Sequence, residues 1–155
     1  MVAGSAAPAS VHPPEIEARL AIGVGDWTLE GMEQTYRETC AWYHRRSFVV
    51  CNTTEIEDGE TRHSVSVLGY SSRTKSFSYL NYGDAGTSRT ETGHPTADGG
   101  LVYLRERTTD AGVSHYRSRI IPIAGSRDFR FEQEKSDNGG PWQPTVKLKY
   151  VLRKP

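Results

Sequence analysis

The chain has 155 residues, and its 19 basic and 19 acidic side chains cancel to a formal charge of zero. That balance leaves no electrostatic footprint for nucleic acid or an anionic membrane, while the length suits a single domain able to bury a core or enclose a cavity. Fifteen glycines and eight tyrosines, with Thr, Ser and Val abundant, favour strands joined by tight turns over a helical bundle.

Met1 to Pro14 is rich in Ala, Ser and Pro and lacks a basic segment followed by an apolar run. It is expected to be a flexible tail rather than a secretory leader, ahead of one domain spanning residues 15–155. No stretch approaches the ~18 apolar residues of a membrane span, so the expectation is a cytoplasmic protein with neither membrane nor nucleic acid as partner. Pro13-Pro14 then introduces a short helix, Glu15 to Ala21, with Ile16 and Leu20 on one face and Gly23 placed to end it. Such a helix would cap a barrel. Next comes Gly25-Asp26-Trp27-Thr28-Leu29. A closed sheet has open ends, and a large flat side chain with one N–H donor seals one of them, while glycine lets the chain turn sharply into the strand. Trp27 is the expected plug.

The first strand is expected over Trp27 to Glu33, followed by Tyr36 to Tyr43 and Ser47 to Ile56, turning at His44-Arg45-Arg46. Asp58-Gly59 is a strong hairpin signal, because a type I′ turn needs positive φ at both central residues. Pairing Glu57 with Glu60 sets Glu55 opposite Arg62, Thr54 opposite His63, Asn52 opposite Val65, Val50 opposite Val67 and Phe48 opposite Gly69. The face carrying Phe48, Val50, Asn52, His63, Val65 and Val67 is the more apolar and is expected to point inward; Val49, Cys51, Thr53, Glu55, Arg62, Ser64 and Ser66 would face solvent.

Phe77 to Tyr82 is an aromatic strand of period two, with Phe77, Tyr79 and Asn81 continuing the inward face. Thr87 to Thr92, Leu101 to Arg107, Val113 to Ile123 and Asp128 to Glu134 follow as strands. In the last of these pairs Tyr116, Ser118 and Ile120 fall opposite Gln133, Phe131 and Phe129. A long turn with Trp142 precedes the final strand, where Val146, Leu148, Tyr150 and Leu152 alternate with basic residues. About ten short strands with turn signals after each predict an all-β fold, an antiparallel up-and-down barrel with a short N-terminal helix.

Gly25-x-Trp27, the run from His63 to Tyr70, Tyr79-Leu80-Asn81-Tyr82-Gly83, and Trp142 before a basic last strand together resemble a bacterial family of lipocalin-like barrels in the calycin superfamily, known mainly as a domain of unknown function. The likeness runs over residues 15–153 and implies a fold rather than an activity. It also implies that a basic residue late in the last strand, here Arg153, packs on the plug tryptophan, a cation–π contact of ~1 kcal/mol. The chain departs from the pattern in the short connection between its first two strands.

No phosphate loop, nucleophile elbow or zinc helix is present, so function is expected in the lumen. The expected lining is Phe48, Val50, Asn52, His63, Val65, Val67, Phe77, Tyr79, Asn81, Tyr116, Phe131 and Tyr150. Aromatic walls with a few converging polar groups suit a small hydrophobic or aromatic ligand held by a monomer or homodimer. The alternative is an enzyme using the same cavity, such as a natural-product cyclase or isomerase, in which His63 or Tyr79 moves a proton. Haem held by His63 is a third reading, although no cofactor or metal is called for by the sequence itself. Cys40 and Cys51 are expected to be a free, reduced pair. An Arg45-Arg46 turn would place them opposite one another and so permit a disulfide without requiring one.

Overall fold

A computed structural model describes residues 9–155. One helix, α1 (Pro14–Ala21), leads into ten strands: β1 (Gly25–Leu29), β2 (Tyr36–Trp42), β3 (Val49–Glu57), β4 (Glu60–Ser71), β5 (Ser76–Gly83), β6 (Ser88–Pro95), β7 (Leu101–Thr109), β8 (Gly112–Pro122), β9 (Phe129–Asp137) and β10 (Gln143–Leu152). Each strand pairs antiparallel with the next, and β10 returns to β1 through Trp27 opposite Leu152, which closes the sheet into an up-and-down barrel. Closure removes every sheet edge. No helix among the described residues is long and apolar enough to cross a membrane.

The hairpin at Asp58-Gly59 forms as its residue types demand, with φ of 52° and 79°. From it the β3–β4 ladder runs with the expected partners, Glu57 with Glu60 through Val50 with Val67. Arg45 and Arg46 also take positive φ, and they set Cys40 opposite Cys51.

One end of the barrel is sealed. Trp27 is fully buried, donates its indole N–H to the Gly23 carbonyl at 2.7 Å and meets Phe129 edge-on at 5.0 Å. Gly25 is required beside it, since a Cβ there would lie 2.8 Å from Leu152 Cδ1 and 3.2 Å from the indole, at a φ of 152°. Helix α1 lies across this end with Leu20 fully buried, and Arg19 ties it to the β6–β7 loop by donating to the carbonyls of Thr96 and Gly100.

Several expectations are corrected. The face of β3 and β4 is reversed: Val49, Cys51 and Ser66 are buried inside, while Asn52, His63 and Val65 are exposed outside. Val50 and Val67 share that outer face, and Phe48 stacks on Tyr43 at 4.5 Å rather than entering the lumen. The cause is the neighbouring ladder. Trp27 pairs with Glu38, so Glu38 and Cys40 turn inward with the plug, and Cys51 opposite Cys40 must follow. Cys40 and Cys51 are bonded as a disulfide, not free thiols.

The β8–β9 register is two residues from the expected one, with Tyr116, Ser118 and Ile120 opposite Lys135, Gln133 and Phe131. A shift of two preserves which side chains point inward. The cation above Trp27 is Arg127, at 6.0 Å, not Arg153. Leu152 is the inward partner of Trp27, so the next residue, Arg153, turns outward toward Asp26, at 3.9 Å. Of the expected tail, residues 1–8 lie outside the described residues, while His12 is held against the barrel by its Nε2 contact with the Ser47 carbonyl at 2.7 Å.

Candidate functional site

Above the plug the barrel encloses a cavity of about 380 Å³, large enough for a small organic molecule. Its floor is Ile22, Gly23 and Leu101, and its walls mix aromatic with polar side chains.

The wall from β2 and β3 carries Glu38. Its Oε2 accepts from the Thr53 hydroxyl at 2.9 Å and the Tyr36 hydroxyl at 3.1 Å, and Tyr36 in turn lies 3.2 Å from the Tyr150 hydroxyl. Burial pushes the Glu38 carboxyl above the ordinary carboxylate range, partly opposed by these two hydrogen bonds. Tyr36 and Tyr150 are likewise pushed up, first by burial and then by the charge of the neighbours, so both hydroxyls stay protonated and able to donate. Below Glu38 the Cys40–Cys51 disulfide lines the cavity.

The wall from β5, β6 and β7 carries Glu91 beside two guanidinium groups, with Arg89 Nε at 3.2 Å and Arg105 Nε at 3.7 Å. Burial raises the Glu91 carboxyl, while Arg89 and Arg105 pull it back down. Tyr103 points into the same region, and its hydroxyl, raised by burial and by Glu91, has no hydrogen-bond partner among the described residues. Gly93 makes room for it, since a Cβ there would sit 2.6 Å from the Tyr103 ring. A chain of polar contacts runs along this wall: Arg89 donates to the Tyr79 hydroxyl at 3.4 Å, Tyr79 meets the Ser66 hydroxyl at 3.0 Å, and Asn81 donates to Ser66 at 2.9 Å.

Among the residues expected in the lumen, Tyr79, Asn81, Phe131 and Tyr150 line the cavity. Phe77 faces inward but lies in the core near the plug, packed under Tyr70 at 5.0 Å. Tyr116 keeps its inward direction yet sits beyond the cavity, beneath Arg105 at 4.2 Å and near Lys135 at 5.9 Å. Phe48, Val50, Asn52, His63, Val65 and Val67 do not line it. His63 stands on the outer surface, 3.3 Å from the Thr54 hydroxyl, which removes it as a proton carrier or haem ligand inside the barrel.

No family of known proteins matches the chain, and no curated protein is similar to it in sequence. What the site can do therefore rests on its chemistry. The carboxylate of Glu38 and both sulfurs come within 4.8 Å of one another, a spacing at which metal ligands gather. With the sulfurs bonded to each other, only the carboxylate remains to bind an ion.

Sequence reasoning missed Glu38, Arg89, Glu91 and Tyr103. The signal for Glu38 was present: a cysteine pair facing across two strands marks a buried face, and Glu38 lies two residues from Cys40 on that face. Nothing comparable marked Glu91, which sits in a strand of Ser, Arg, Thr and Gly.

Proposed function

We propose that the chain binds a small molecule, aromatic in its body and polar at its edges, in the lumen of the barrel. The observation carrying this reading is the cavity of about 380 Å³ with aromatic walls, Tyr79, Phe129, Phe131 and Tyr150, set between buried polar groups. Burial of the ligand's rings supplies the driving force, and the polar groups fix its orientation. The resemblance to lipocalin-like barrels belongs to the same reading and is supported by the capping helix and the Trp27 plug. A second reading, an isomerase or cyclase, is favoured by Glu38, a carboxyl raised by burial and opening on the cavity, where it could give and take a proton beside Tyr36. The disulfide fits an oxidising compartment better than the reducing cytosol expected from the sequence.

The test is an apolar fluorescent probe, titrated for a 1:1 complex. Ser118→Trp places a large ring in the cavity and should abolish binding while the cooperative melting of the barrel persists. A native protein that binds no probe, and none of a set of small aromatic molecules by calorimetry, would remove the binding reading. Turnover slowed by Glu38→Gln with binding unchanged would put the enzyme in its place.

A further inference from the structure

We infer that the ligand is amphoteric and elongated, with a cationic N–H group at one end for Glu38, an anionic group at the other for Arg89 and Tyr103, and an aromatic body between them. The inference rests on the lumen being the binding site and names the class of molecule it takes.

At one pole, both donors near Glu38 go to Oε2. The remaining neighbour, Cys40 Sγ at 3.6 Å from Oε1, is bonded to Cys51 and carries no proton to give. Among the described residues no other proton donor reaches the Glu38 carboxyl, and the residue lines the cavity. At the other pole the Tyr103 hydroxyl has no hydrogen-bond partner among the described residues although the residue is only 3% exposed, and the Nε atoms of Arg89 and Arg105 lie 3.2 and 3.7 Å from Glu91 Oε1 without hydrogen-bond geometry on either side. Two guanidinium groups face one carboxylate there, leaving one positive charge uncompensated by Glu91. Buried polar groups are rarely left unpaired, and a ligand carrying a donor at one end and an acceptor at the other would complete both poles.

The ring order places the poles on opposite sides. Glu38 is on β2 and Tyr103 and Arg105 are on β7, five strand steps away in either direction round the barrel. Tyr79 lies beside Arg89 on one wall, and Phe129 stacks on Tyr150 at 4.6 Å on the other, so the space between the poles is lined by rings. A neutral ligand would leave both poles unpaired, and a singly charged one would leave one of them so.

The experiment compares three compounds of one skeleton, 4-(2-aminoethyl)benzoate, 4-ethylbenzoate and 2-(4-methylphenyl)ethylamine, by calorimetry and by displacement of the apolar probe. The first should bind roughly tenfold or more tightly than either singly charged analogue. Glu38→Gln should reduce it to the affinity of 4-ethylbenzoate, and Arg89→Met to that of the amine, with melting curves confirming that each variant is folded. Equal affinity of the three compounds, with the probe still bound, overturns the amphoteric ligand and leaves lumen binding standing. Failure of all three and of the probe overturns both.

Discussion

At Glu38 the folded chain holds a carboxyl more protonated than the unfolded chain does, because burial disfavours its charge. A folded pKa raised above the ordinary 4.5 gives stability that is complete below that value and is lost as pH rises through the folded pKa. Glu91 acts in the same sense. Glu134 and Asp137, whose carboxyls are lowered by side-chain hydrogen bonds, act oppositely and lose their contribution as the pH falls. Denaturant midpoints measured from pH 4 to 8 should therefore decline above about 4.5 in the native protein, and Glu38→Gln should flatten part of that decline. An identical pH profile in the variant would mean that burial does not raise the Glu38 carboxyl. The reason this residue escaped notice in the sequence is local: a lone glutamate between Arg37 and Thr39 in a polar strand looks like a solvated side chain until its neighbour strand is placed.

Single hairpins of the barrel were legible because their turns have chemical requirements. Asp58-Gly59 fixes nine consecutive pairings of β3 with β4, and all of the pairings expected between Glu57 and Val50 occur. Gly59 meets nothing within 4 Å, so its conformation alone makes glycine necessary there. Gly59→Val should cost about 1 to 2 kcal/mol, read from the denaturation midpoint, without any change in the cavity. No loss of stability would mean that the turn can relax into another type. Which face of that hairpin points inward was not legible from the same turn. Valines at 50, 65 and 67 on one side and Ser, Thr and Cys on the other suggest an apolar interior, whereas this barrel surrounds a partly polar cavity and carries valines on its outside. The rule that the more apolar face is buried assumes a filled core, and it fails where the interior is reserved for something other than side chains. β5 was read correctly for the complementary reason. Phe77 and Tyr79 face inward in either kind of barrel, while Tyr82, on the alternate face, is exposed.

For the whole molecule, the feature with the widest reach is the bond between Cys40 and Cys51. The chain between them is short, a separation of 11, and the loop entropy removed from the unfolded state corresponds to about 3 kcal/mol. Reduction, or Cys40→Ser with Cys51→Ser, should lower stability by that order in urea unfolding, and an unchanged midpoint would show that the bond adds nothing to the fold. Its second effect is informational. With a valine face and a serine-threonine face of comparable appeal, β3 and β4 have a competing inside-out arrangement, reached by a slip of one residue against β2. The covalent link makes that arrangement inaccessible, since no slipped pairing keeps the two cysteines opposite each other. The reduced chain is then expected to lose uniqueness before it loses compactness: amide exchange should quicken across β2, β3 and β4 while the far side of the barrel, β7 to β9, stays protected.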